Sequence, residues 1–121
     1  MTQFKHTPEE ARTKWVEALR SGEYQQGKHQ LRDGDGFCCL GVACDLFAKL
    51  EGIGEWDNGH FKIQHEREFG VLLTPVRTWL GLQSNTGDIN PTKCLTSLND
   101  RGYSFAELAD VIEEKPGDLI A

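Results

Sequence analysis

What this 121-residue chain lacks narrows its options first. No apolar run approaches the roughly 18 to 20 residues that a membrane-spanning helix needs. The opening stretch, MTQFKHTPEEARTKW, has no apolar segment of the kind a secretion signal carries. No membrane association is expected, and the expected compartment is the cytoplasm. Four cysteines (Cys38, Cys39, Cys44 and Cys94) form no C-x-x-C pair, and the four histidines fall at no zinc-finger spacing. Reduced thiols and no metal site are expected. A P-loop, a dinucleotide fingerprint and an H-E-x-x-H helix are all missing, and no cofactor is implied. DGDGF, from Asp33 to Phe37, starts like a calcium loop but lacks the remaining ligands and the closing glutamate. No repeat, linker or low-complexity tract divides the chain, so one globular domain over residues 1–121 is expected.

Basic charge is also scarce. The net charge is -6, with six basic and four acidic groups before residue 33 and seven basic and fifteen acidic groups from residue 33 onward. A nucleic-acid binder shows a basic face or stripe, and none is visible here. The apolar share of 38% nevertheless suffices for a core at this length.

The helix signals are clearest at the two ends. In TPEEARTKWVEALRSG, Thr7 serves as N-cap, Pro8 opens the first turn and Glu10 completes a capping box. Ala11, Trp15, Val16, Ala18 and Leu19 form the buried stripe, and Ser21-Gly22 stops it. Near the C-terminus Ser104 and Glu107 form a second box, Phe105, Leu108, Ala109 and Ile112 make the stripe, and Pro116 closes it. Between them, Asp33-Gly34-Asp35-Gly36 reads as the turn of a small hairpin. With Gly34-Asp35 as its loop, Leu31 falls opposite Cys38 and Gln30 opposite Cys39. Residues 40–50 read as a helix with Val42, Ala43, Leu46, Phe47 and Leu50 on its apolar face. EGIGEWDNG reads as a loop, and HFKIQ as a strand joining the hairpin's sheet. PVRTWLG reads as a short helix capped at Thr74-Pro75 and ended by Gly81. QSNTGDIN reads as another loop, and PTKCLTSLND as a helix starting at Asn90-Pro91 and ended by Gly102. The expected fold is α+β, mostly α, with about five short helices and a two- or three-stranded antiparallel sheet.

Four segments together, LRSGEYQQGKHQLR, FCCLGVACDL, LTPVRTWLGL and LTSLNDRGYSFAELADVIEE, resemble a family of small uncharacterised proteins encoded largely by bacteriophages and prophages. The likeness runs from Leu19 to Glu114. It follows Ser21, Gly22, Tyr24, Gln26 and Gly27, then Cys38 to Val42, Trp79 to Leu82, and Leu98 to Phe105. What it implies is origin: a phage accessory protein acting in the bacterial host cytoplasm. It brings no activity and no catalytic residue.

The residues that could carry chemistry cluster around the paired cysteines. A thiolate at a helix N-terminus is stabilised by free backbone N–H groups and the helix dipole, which makes Cys39 the candidate nucleophile and Cys38 the second. A base would come from His29 or His60, an oxyanion donor from Gln26 or Gln30, and an orienting group from Asn99 or Asp100. The competing reading makes the cysteines small apolar residues packed where strand meets helix, with Gly41 letting backbones pass closely; it is preferred. A polar site is then expected where QQG meets LND, bringing together Gln26, Asn99 and Asp100. Gln30 is a further binding candidate, and Trp56 is a contact aromatic in its acidic loop, whereas Trp15 and Trp79 belong to the core. The expected function is that of a non-enzymatic binding module engaging a host protein or small ligand, with counter-defence among its uses. The alternative is a small cysteine-dependent hydrolase or transferase using Cys39. No oligomeric state follows from the sequence.

Overall fold

The computed structural model describes residues 4–121. The chain is α+β, with five helices and eight very short strands in three small sheets among the described residues. Helix α1 spans Pro8–Ser21. Thr7 Oγ1 accepts the Glu10 N–H while the Glu10 carboxylate accepts the Thr7 N–H, and Gly22 ends the helix at φ 80°. Its buried face is Ala11, Trp15, Val16 and Leu19. Helix α5, Phe105–Glu114, carries the matching box between Ser104 and Glu107 and packs directly on α1. The two clearest sequence signals thus lie side by side in space.

Helix α2, Cys39–Glu51, is the hub, touching α1, α3 (Thr74–Leu80) and α4 (Leu95–Asp100). Of its expected face, Val42, Ala43 and Phe47 lie inside, whereas Leu46 and Leu50 are only partly buried. Leu40, Cys44 and Glu51 are buried instead, so the stripe keeps helical spacing but includes residues that a hydrophobicity count passes over.

The first sheet joins β1 (Gln25–Gln26), β3 (Gly36–Phe37) and β2 (Arg32–Asp33) in that order. β2 and β3 are antiparallel, with Arg32 opposite Phe37, and the Cys38 N–H donates to the Leu31 carbonyl at 3.1 Å. The expected Leu31–Cys38 register is therefore observed. β1 runs parallel to β3, so this sheet is mixed rather than antiparallel throughout.

Further expectations are corrected beyond it. EGIGEWDNG contains a strand, β4 (Glu55–Asp57), and β5 (His60–Ile63) pairs with it and with β6 (Glu66–Glu68) in a second sheet, not with the hairpin. QSNTGDIN ends in β7 (Asp88–Asn90), which pairs with β8 (Lys93–Cys94). The helix expected from Asn90 accordingly begins only at Leu95. Helix α3 ends at Gly81 as expected, but its N-cap is Leu73, and the Thr74 side chain makes no cap bond. After α5 the chain returns to α3's end: Leu82 bridges Ile120, and the Ala121 N–H donates to the Gly81 carbonyl.

Candidate functional site

Two of the polar clusters against α2 differ in what they bond. The first is the junction at its N-terminus. A Cβ placed on Gly41 would stand 1.8 Å from the Leu31 carbonyl oxygen, so the helix start lies directly on the hairpin strand. Only glycine permits that approach. Asn99, fully buried on α4, holds the junction from the other side. Its Oδ1 accepts from the Cys39 N–H at 3.2 Å and from Gln26 Nε2 at 3.0 Å, and its Nδ2 donates to the Gly27 carbonyl at 2.8 Å. Gln26 is spent in the same way, donating to the Tyr103 carbonyl and accepting from the Phe105 N–H. The QQG and LND segments do meet, but around backbone groups that need partners.

The cysteines fill the space beneath. Cys39 has no exposed surface; its carbonyl accepts from Trp15 Nε1 at 2.8 Å and its thiol points at the Leu95 carbonyl. Burial pushes the Cys39 and Cys44 thiols well above the usual cysteine range and Cys38 up to about 11. A thiol so placed stays protonated at neutral pH, and the helix N-terminus does not overcome the loss of water. Cys94 differs. It is half-buried, and its hydrogen bonds with Thr96 and Ser97 outweigh its own desolvation and lower its pKa. All four thiols are free.

The expected catalytic partners do not assemble on Cys39. His29 is held at φ 72° on the surface, its N–H donating to Asp100 Oδ1 at 2.8 Å and its ring Nδ1 standing 3.5 Å from the other carboxylate oxygen. His60 has the Asn58 carbonyl and the Phe69 ring as neighbours, and neither belongs to the cysteine junction. Among the described residues, no group of His, Cys, Asp or Glu side chains is arranged to hold a metal ion. No helix there is long and apolar enough to cross a membrane.

The second cluster lies on the outer side of α2, around Asp45. Its carboxylate accepts from Tyr24 Oη at 2.6 Å, from Trp56 Nε1 at 3.1 Å and from Lys49 Nζ at 2.9 Å. These bonds overcome partial desolvation and hold Asp45 below the usual aspartate range. Desolvation and the Asp45 bond in turn push the Tyr24 phenol up to about 12. The rings form a ladder of edge-on contacts, Tyr24 to Phe37 to Trp56 to Phe61, continued inward through Phe47 to Trp79. Beside two of its rungs the Arg32 guanidinium lies 5.0 Å from the Phe37 ring centre and 5.6 Å from that of Trp56. Beside it opens a recess of about 490 Å³ lined by Gln30, Arg32, Asp33, Trp56, Asn58 and Gly59.

Residues 8–116, and so both clusters, match one family model, that of a domain of unknown function, DUF8296. The chain belongs to this family. No curated protein matches it, and no solved structure does.

Of the binding candidates in this DUF8296 domain, Gln26 and Asn99 are locked in the junction and Asp100 is held against His29, while Gln30 and Trp56 line the recess. Trp56 is half-buried and bonded rather than free in a loop. The sequence reading missed Arg32, although the hairpin register already put it opposite Phe37, and strand periodicity put it on one face with Gln30. It also missed Asn58-Gly59, a strong hairpin signal that turns β4 into β5 with both residues left-handed.

Proposed function

We propose that this DUF8296 domain is a phage-encoded accessory protein of the bacterial cytoplasm that works as a non-enzymatic binding module. Its contact site is the recess beside Trp56 of the aromatic ladder. The observation that carries the reading is the contrast in exposure between candidate residues. The thiols at the helix start are sealed and protonated, while Gln30 and Trp56 meet at a concave surface beside a cation stacked on two rings. Aromatic and arginine side chains of that kind dominate contact energies in recognition surfaces. The phage origin rests on the resemblance of the four sequence segments. No geometry favours the alternative of a Cys39 nucleophile.

Two measurements test the reading. Iodoacetamide should label one thiol, Cys94, in the folded protein and all four after denaturation. Rapid native labelling of Cys38 or Cys39 would restore the enzyme hypothesis. Capture from a bacterial lysate should retain a partner or ligand on the wild-type chain and lose it on Trp56→Ala. Capture that is unchanged by this substitution would move the site elsewhere.

A further inference from the structure

We infer that the recess takes a carboxylate and that Arg32 is the residue that recognises it; this inference rests on the binding-module reading of the same surface. Three observations lead there. First, Arg32 is committed as a stacked cation but only in small part as a donor. Of the five N–H groups that a guanidinium carries, only Nε is used, donating to the Gly34 carbonyl at 3.1 Å. Neither terminal nitrogen has a hydrogen-bond partner, and no carboxylate pairs with it among the described residues. This is despite a chain of 19 acidic and 13 basic groups with Asp33 next in sequence. Arg20 and Arg67, by contrast, are both in ion pairs.

Second, the surroundings hold the fork in place. The Phe37 and Trp56 rings flank the guanidinium, and the Nε bond fixes its in-plane orientation. The Asn58-Gly59 turn closes the recess from the other sheet. A Cβ on Gly59 would stand 2.9 Å from the Arg32 carbonyl oxygen, so the two walls are in contact. Gln30 donates its amide to that carbonyl at 2.9 Å. The donors are therefore set before any ligand arrives, which reduces the ordering cost of binding.

Third, the charge balance selects the kind of anion. Arg32 is the only cationic side chain lining the recess, and Asp33 lines it too. A phosphate dianion would face one cation and one acid within an acidic protein. A carboxylate carries a single charge and two coplanar oxygens, and a guanidinium fork matches that geometry with two parallel bonds. Trp56 supplies an apolar flank for the carbon atoms attached to it. Two sources share this chemistry: a small organic acid, and an acidic side chain or C-terminus of a protein partner.

The test is a titration of the full ¹⁵N-labelled chain with acetate, with free glutamate and with a glutamate-containing peptide blocked at both termini. Sodium chloride at matched ionic strength and inorganic phosphate serve as controls. The expected result is a saturable shift of the Arg32 Nε and Trp56 Nε1 signals with a Kd on the order of 1 mM for acetate. The Trp15 and Trp79 signals should stay in place. Arg32→Lys should weaken binding about tenfold, since it keeps the charge but loses the fork, and Arg32→Gln should abolish saturation. Should Arg32→Gln disturb the buried indole signals, Arg32→Lys carries the test alone. Tighter binding of the peptide than of the free acids would point to a protein partner, and the reverse to a small acid. Shifts reproduced by chloride, tighter saturation by phosphate, or undiminished acetate binding in Arg32→Lys would each overturn the inference. Lysate capture separates this outcome from failure of the underlying reading. Loss on Trp56→Ala with retention on Arg32→Gln leaves a binding surface without a carboxylate, whereas retention on both removes the recess as the site.

Discussion

Asn99 and Asp45 each gather three hydrogen-bond partners against helix α2, and the partners are of opposite kinds. Two of Asn99's three are backbone groups, on Cys39 and Gly27, and the third is a side chain itself committed to backbone. All three of Asp45's are side chains, from Tyr24, Trp56 and Lys49. A side chain that completes buried backbone groups fixes where segments of chain lie, and losing it strands those groups away from water. A side chain that organises other side chains at a partly wet surface fixes a shape that can meet something else. The sequence motif most suggestive of chemistry, CCLG, belongs to the first kind, and the less conspicuous residues around Trp56 belong to the second.

Substitutions can pull these two roles apart. The largest effect is expected from Gly41→Ala, which forces a methyl group into the Leu31 carbonyl. Overpacking against backbone that cannot turn aside should cost about 3 kcal/mol or more, a large share of a marginally stable domain's total. Urea denaturation would measure it, and a cost below about 1 kcal/mol would mean that the junction is not a rigid lock. Asn99→Ala comes next, at about 2 to 4 kcal/mol, because it leaves the Cys39 N–H and the Gly27 carbonyl unpaired inside the protein.

On the Asp45 side the losses should be smaller and more local. Asp45→Asn keeps the shape but removes the charge facing Lys49 and weakens two accepted bonds, for about 1 to 2 kcal/mol. Trp56 fluorescence should change while thermal unfolding stays cooperative. If Asp45→Asn instead matched Asn99→Ala in cost, the division between the two clusters would fail.

The smallest effect is a pH dependence. The Tyr24 phenol is raised to about 12 in the fold, above its ordinary value near 10. Its contribution to stability is therefore fully present below about pH 10 and lost as pH rises through about 12. Asp45, held low, acts at the other end, stabilising above the ordinary aspartate range and losing that contribution as pH falls through its lowered value. Tyr24→Phe should remove the alkaline slope from a plot of stability against pH and leave the acid limb largely in place. An unchanged alkaline slope would show that the Tyr24–Asp45 bond is not formed in solution.

Much of the helical frame was legible because its signals are local. The capping boxes at Thr7–Glu10 and Ser104–Glu107 each lie within four residues, and the hairpin register followed from a two-residue loop. Strands β4, β6, β7 and β8 were not legible as such. Two or three residues are too few to show alternation, and they are strands only because a neighbour supplies the other half of the ladder. The candidate site was half legible for the same reason. Gln30 and Trp56 were singled out as residue types, but their meeting depends on the second sheet reaching the first. Glu51 shows the limit most sharply. A charged residue at the end of α2 is buried because it accepts from the Lys5 N–H, His6 and Trp79, partners 46, 45 and 28 residues away. Its place on the buried helical spacing was the one available clue.

The Asn99 bonds have a consequence for the order in which this chain can acquire its fold during synthesis. They tie residues separated by 60, 72 and 73 positions, and α4 lies in the last quarter of the sequence. While α1, the hairpin and α2 have left the ribosome and α4 has not, the Cys39 amide and the Gly27 carbonyl must keep their water. The junction at the helix start is therefore completed only once α4 has been made, and a chain ending before residue 99 lacks the side chain that pairs both groups.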